Sequence, residues 1–119
     1  MIKNYRDLVV WQKSMELVTK VYVVTKTFPK EEIYGLMPQI RRSCVSIPSN
    51  IAEGYGRYST NDYVRFLQVA RGSLYELQTQ LDIAHNLSYV TKQRFEELFE
   101  QSREIERMLS GLVKKVGRK

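Results

Sequence analysis

The sequence predicts an all-α fold, an antiparallel up-down-up-down four-helix bundle, on three observations. Apolar residues recur at steps of three and four, while alternation at period two is never sustained. Four segments of this kind are joined by short stretches carrying turn and capping residues. The 119 residues, 43% apolar and 27% charged, form a single domain over residues 1–119 that buries its own core without disulfides or structural metal.

The first helix is expected to start near Asp7 as N-cap. Its stripe is Leu8, Trp11, Met15, Val18 and Tyr22, with Leu17, Val21 and Val24 beside it. It ends at Phe28-Pro29, because Pro29 steers Phe28 away from helical geometry, and Lys30-Glu31-Glu32 turns the chain before Gly35. The second helix is expected to begin at Pro38, whose missing N–H has no partner in a first turn. Its stripe is Ile40, Cys44, Ile47 and Ile51. The apolar phase runs through Pro48 unchanged, which predicts one kinked helix rather than two, with a hydroxyl of Ser46 or Ser49 covering the freed Cys44 carbonyl. Gly54 and Gly56 offer left-handed backbone to end it.

Ser59 caps the third helix, with Asp62 in its first turn and the stripe Tyr63, Leu67, Ala70, Leu74, Leu77, Leu81 and Ala84. Thr91 caps the fourth, whose seam is Phe95, Leu98, Ser102, Ile105, Leu109, Leu112 and Val116. A tail from about residue 114 to 119 is expected to fray. Ser43, Ser46 and Asn50 on the second helix and Gly72-Ser73 on the third let these two helices approach closely and share a buried hydrogen-bond network. Adjacent Arg41 and Arg42 diverge by about 100° on a helix, so Arg41 is expected to face outward and Arg42 to pair with Glu76. A second apolar and aromatic set, including Tyr34, Tyr55, Tyr58, Phe66, Tyr75, Tyr89 and Phe99, either widens the core stripes or faces another subunit.

One cysteine and one histidine exclude an internal disulfide and a zinc cluster. Cys44, on an apolar stripe, reads as a small buried hydrophobe, and His85 as a partly exposed helix-end residue. The carboxylates of the fourth helix alternate with Arg103 and Arg107 as a solvated face, so neither a catalytic residue nor a cofactor is assigned and the chain reads as a non-enzyme. The N-terminus lacks a signal-peptide core and no apolar run reaches membrane-spanning length, which predicts a cytoplasmic protein without membrane contact. The net charge of +6 favours a polyanion partner, RNA or DNA. Two basic patches are candidates to neutralise phosphates, one with Lys13 and Lys20, the other with Lys114, Lys115, Arg118 and Lys119; outward Arg41 adds to them.

The runs YRDLVVWQKSMEL (5–17), SIPSNIAEGYGR (46–57) and GSLYEL (72–77) resemble the four-helix bundle family encoded in intervening sequences of bacterial 23S ribosomal RNA genes, also called S23 ribosomal protein-like. The resemblance extends over about residues 5–110 and implies a bundle assembled as a ring-shaped homopentamer. A more distant similarity, to accessory variability proteins of diversity-generating retroelements, implies a basic pentamer that binds nucleic acid and a reverse transcriptase. Ser46, Asn50, Glu53, Gly54 and Arg57 match the family's helix-two motif, and Gly72, Ser73, Glu76 and Leu77 its helix-three motif. The match implies that these residues fix bundle geometry or a subunit interface, with Arg57 reaching solvent or RNA. Met37-Pro38 departs from the hydroxyl cap common in the family. Two functions follow as expectations: a homopentameric nucleic-acid-binding adaptor, or a protein-binding structural oligomer that accompanies a reverse transcriptase.

Overall fold

Four helices alternate in direction in the computed structural model, which describes residues 1–117: α1 (Val9–Thr25), α2 (Leu36–Tyr55), α3 (Thr60–Asn86) and α4 (Lys92–Gly117). Short 3₁₀ turns at Tyr5–Asp7 and Lys30–Glu32 precede α1 and α2. Each helix packs on its sequence neighbour and α1 closes the ring against α4, with the most extensive contact between α2 and α3. The four-helix bundle predicted from periodicity is therefore the fold. Its long axis is 46 Å, close to the length of the 27-residue α3 at 1.5 Å per residue. No helix among the described residues is long and apolar enough to cross a membrane.

The core stripes of α3 and α4 lie where their periodicity put them, with Leu67 through Ala84 and Leu98 through Leu109 buried. Tyr63, Phe95, Leu112 and Val116 pack at their margins. The stripe of α1 is centred on the row expected beside it, with Leu8, Trp11 and Val18 of the expected stripe packing at its margin. Val10, Ser14, Leu17, Val21 and Val24 are buried, whereas Met15 and Tyr22 are exposed. Ser14 explains the difference: its hydroxyl donates to the Val10 carbonyl at 2.7 Å, so a polar residue sits in the core and masks the true stripe from hydropathy.

Helix ends also depart from expectation. Asn4, not Asp7, opens the first turn, accepting from the Arg6 N–H at 2.8 Å, while Asp7 reaches back to the Lys3 and Asn4 N–H groups. Leu36 starts α2 two residues before Pro38. A proline at the third helical position still gives up no bond, since the first four N–H groups lack intrahelical partners. Glu32 supplies the cap, its Oε1 accepting from the Leu36 N–H at 2.8 Å and its Oε2 from the Tyr89 hydroxyl at 2.7 Å. Ser59 and Thr91 cap α3 and α4 as predicted, accepting from the Asp62 and Arg94 N–H groups.

Helix α2 continues through Pro48 as one helix, but neither nearby hydroxyl covers the Cys44 carbonyl. Ser49 donates to the Val45 carbonyl and Ser46 bonds Ser73. Neither Gly54 nor Gly56 is left-handed. Gly54 is buried where α2 meets α3, and a Cβ there would stand 2.8 Å from the Phe66 Cβ. The left-handed position falls instead on Ser88, φ 62°, in the Schellman motif closing α3, where the Tyr89 N–H donates to the Ala84 carbonyl and the Ser88 N–H to the His85 carbonyl. The expected fray from 114 does not begin there, because α4 stays helical through Gly117; Arg118 and Lys119 lie outside the described residues.

The two backbone sites respond oppositely. Gly54→Ala overpacks the α2–α3 contact and lowers stability by about 1–2 kcal/mol after its helix-propensity gain. Ser88→Gly relieves the left-handed strain and raises stability by about 1 kcal/mol. Urea unfolding of the two variants measures both. Glu32 gives a pH signature: the Leu36 N–H, then the Tyr89 hydroxyl, hold its carboxyl below the ordinary 4.5. Its contribution is fully present above that value and disappears as pH falls through the lowered one. In acid titrations of stability, Glu32→Gln should be less stable than wild type at pH 7, and the gap should narrow below pH 4.5.

Candidate functional site

The residues singled out from sequence fall on three separate surfaces. The first is the seam between α2 and α3. Ser43 is buried and donates to Gln80 Oε1 at 2.6 Å, the Ser46 and Ser73 hydroxyls meet at 2.8 Å, and Asn50 Nδ2 donates to both the Ser46 carbonyl and its Oγ. This is the predicted hydrogen-bond network, extended by Gln80, a polar residue buried on the core side of α3. The small residue that permits the close approach is Gly54, however; Gly72 is exposed, with nothing within 4 Å of a built Cβ. Above the seam an open cleft of about 370 Å³ is lined by Gln39, Arg42, Ser43, Ser46, Ser73 and Glu76. Arg42 and Glu76 border it together but form no ion pair, so the expected intrachain pairing is absent.

The second surface runs along α1 and α4. Lys13 Nζ lies 3.4 Å from Glu104 and Lys20 Nζ 3.6 Å from Glu97. Seven residues forward on α1 meet seven residues back on α4, the antiparallel register. Both pairs are about half exposed and contribute at most about 1 kcal/mol each. Their effect on surface charge is larger, because carboxylates intersperse the lysines of the candidate basic patch and neutralise it. Arg41 is not outward either. Its Nε donates to Thr25 Oγ1 at 2.9 Å, its Nη2 to the Tyr22 carbonyl at 3.3 Å, and its guanidinium lies 4.5 Å from the Tyr22 ring centroid. A cation on the last carbonyls of α1 suits the negative end of that helix and ties it to α2.

The third surface is one end of the bundle, where alternating directions gather the start of α1, the α2–α3 junction and the end of α4. It carries Lys3, Arg6, Arg57, Arg65, Lys114 and Lys115 against Asp7, Glu53 and Asp62. Arg57 lies 3.7 Å from Glu53 and stacks over Phe66, and Arg65 contacts Asp62. Lys114 and Lys115 are exposed, with no carboxylate in ion-pair distance among the described residues. Sequence reading found the two lysines but not Arg65, which joins them only through topology.

Cys44 is wholly buried, and burial pushes its thiol up to about 12, an unreactive state. His85 stacks on Phe95 at 4.4 Å between ring centroids, a packing role at the end of α3. Among the described residues no group of three or more His, Cys, Asp or Glu side chains is placed to hold a metal ion. The second apolar and aromatic set divides: Leu17 and Val21 are core, Tyr89 packs against it, and Tyr34, Tyr58 and Tyr75 remain exposed.

Comparison with known proteins agrees with this geometry. The family model of the 23S rRNA-intervening sequence protein matches residues 6–111. A crystal structure of a protein of unknown function from the S23 ribosomal protein family of Bacteroides thetaiotaomicron superposes with a TM-score of 0.83 at 27% identity, covering 89% of this chain and 99% of the other. No curated protein matches.

Proposed function

The chain belongs to the 23S rRNA-intervening sequence protein family, and on that premise we propose a non-enzymatic, self-assembling bundle, five copies to a ring, that binds nucleic-acid phosphate at its basic end. The observation that carries this reading is the polarity of charge along the bundle: the lysines of α1 are matched by α4 carboxylates, while the end holding Arg57, Arg65, Lys114 and Lys115 keeps a basic excess. A ring of copies with their axes aligned repeats that end around a rim, multiplying weak phosphate contacts into useful affinity. Such contacts position a backbone without reading bases, so DNA and structured RNA bind with little sequence preference. The buried thiol of Cys44 and the packed ring of His85 support a binding role over a catalytic one.

A second reading, a protein-binding oligomer that partners a reverse transcriptase, is favoured by the rings of Tyr34 and Tyr58, which stand fully exposed in the loops before α2 and α3. Anisotropy of labelled duplex DNA and hairpin RNA across a salt series separates the two. Nucleic-acid binding predicts affinity that falls steeply with salt, and a slope flatter by about two for Lys114→Glu/Lys115→Glu. Lys13→Glu/Lys20→Glu changes the slope less. An assembled wild-type protein that binds neither polymer at low salt would contradict the nucleic-acid reading and favour the protein partner.

A further inference from the structure

The side of the bundle formed by α1 and α2 carries a groove that no part of the described chain covers. Two adjoining cavities of about 510 and 350 Å³ share Val45 and follow α2 from Pro38 to Ala52, fourteen residues or about 21 Å. Met15, Tyr22, Ile33 and Val45 line it and stay substantially exposed. Among its lining residues the charged side chains are Arg41 and Arg42, and none is a carboxylate. Arg41 is engaged with the end of α1. Arg42 stands exposed on the crest of α2 without an ion pair among the described residues.

The complementary shape and charge occur on α3. Val69, Glu76 and Ile83 recur every seven residues and so share one face. Val69 and Ile83 are 48% and 42% exposed, and they too stand fourteen residues, about 21 Å, apart. Glu76 is exposed between them with no ion pair among the described residues. Gly72, on the same side, adds no side chain to hold a partner away.

An exposed row with apolar ends and a central carboxylate thus matches, in length and in sign, an apolar groove that carries a guanidinium toward its Pro38 end. We infer that the α1–α2 groove of one copy receives the Val69–Glu76–Ile83 ridge of a second copy of this chain, with the partner's Glu76 paired to Arg42. The inference rests on the self-assembly proposed above and assigns its two surfaces. Groove and ridge are different patches on neighbouring sides of the bundle, so the contact is heterologous: an open chain of copies keeps one free groove at one end and one free ridge at the other until it closes into a ring. The unmade intrachain pair of Arg42 and Glu76 finds its explanation between subunits.

Light scattering and sedimentation of the full chain test this with charge reversals. Arg42→Glu and Glu76→Arg should each weaken self-association about 100-fold by setting like charges opposite each other, with helical circular dichroism unchanged. Mixed one to one, the two variants should associate again, because every contact between unlike copies joins a carboxylate to a guanidinium; a ring of five must keep one contact between like copies, so recovery in mass is expected with affinity below that of wild type. Val45→Asp, in the shared wall of the groove, should dissociate the assembly by an apolar route. A monomeric wild type would overturn the self-assembly reading itself, and this inference with it. An assembled wild type whose mass none of these substitutions changes would overturn the interface alone. Single variants that dissociate and do not recover on mixing, while the double variant reassembles, would place the pair within one chain and equally overturn it.

Discussion

The rest of the structure depends on the close approach of α2 and α3. Gly54 sets it, since the Phe66 Cβ occupies the space that any side chain at 54 would need. Helices brought this near leave little room for large apolar groups between them, and hydroxyls fill the seam: Ser43 with Gln80, Ser46 with Ser73. Buried polar groups are costly unless every one is satisfied, and a satisfied network admits few alternative registers. The seam therefore fixes the vertical alignment of α2 on α3, from which the loop at 56–59 and the Ser59 cap follow.

Alignment of these two helices also decides what the outer surface presents. With Ser46 locked to Ser73, Arg42 and Glu76 come to border one cleft, yet remain unpaired. The same placement leaves Val45 on one flank of α2 and Val69 and Ile83 on the outer side of α3, all exposed. Opposite, α4 carries a charged face whose Glu97 and Glu104 answer Lys20 and Lys13 of α1. The bundle thus has one solvated side laced with ion pairs, one side poor in charge, and one basic end. On the function proposed above, solubility, assembly and polyanion contact use different parts of a small surface.

Much of the fold could be read from the sequence because α3 and α4 have unbroken stripes. Leu67, Ala70, Leu74, Leu77 and Leu81 leave only one face to bury, and a single hydroxyl at Ser102 does not interrupt a seam of leucine and isoleucine. The stripe of α1 was only partly legible: Leu17, Val21 and Val24 could be placed beside it, but the buried Ser14 splits the true row and hydropathy then favours the adjacent one. Glycine was ambiguous in the same way. At Gly54 it serves packing and not backbone handedness, while the one left-handed residue, Ser88, carries no glycine to announce it. The polar seam was legible from its small and hydroxyl side chains. The charge pairs of α1 with α4, and the gathering of Arg65 with Lys114, depend on antiparallel register between distant segments and emerge only when the helices are packed.

Native-state hydrogen exchange tests the central place of the α2–α3 seam most directly. If that seam holds the bundle together, the amides of Ile47 and Ile51 in α2 and of Leu74 and Leu77 in α3 exchange slowest, and only through global unfolding. A protected core located in α1 and α4, with α2 and α3 opening first, would contradict the account.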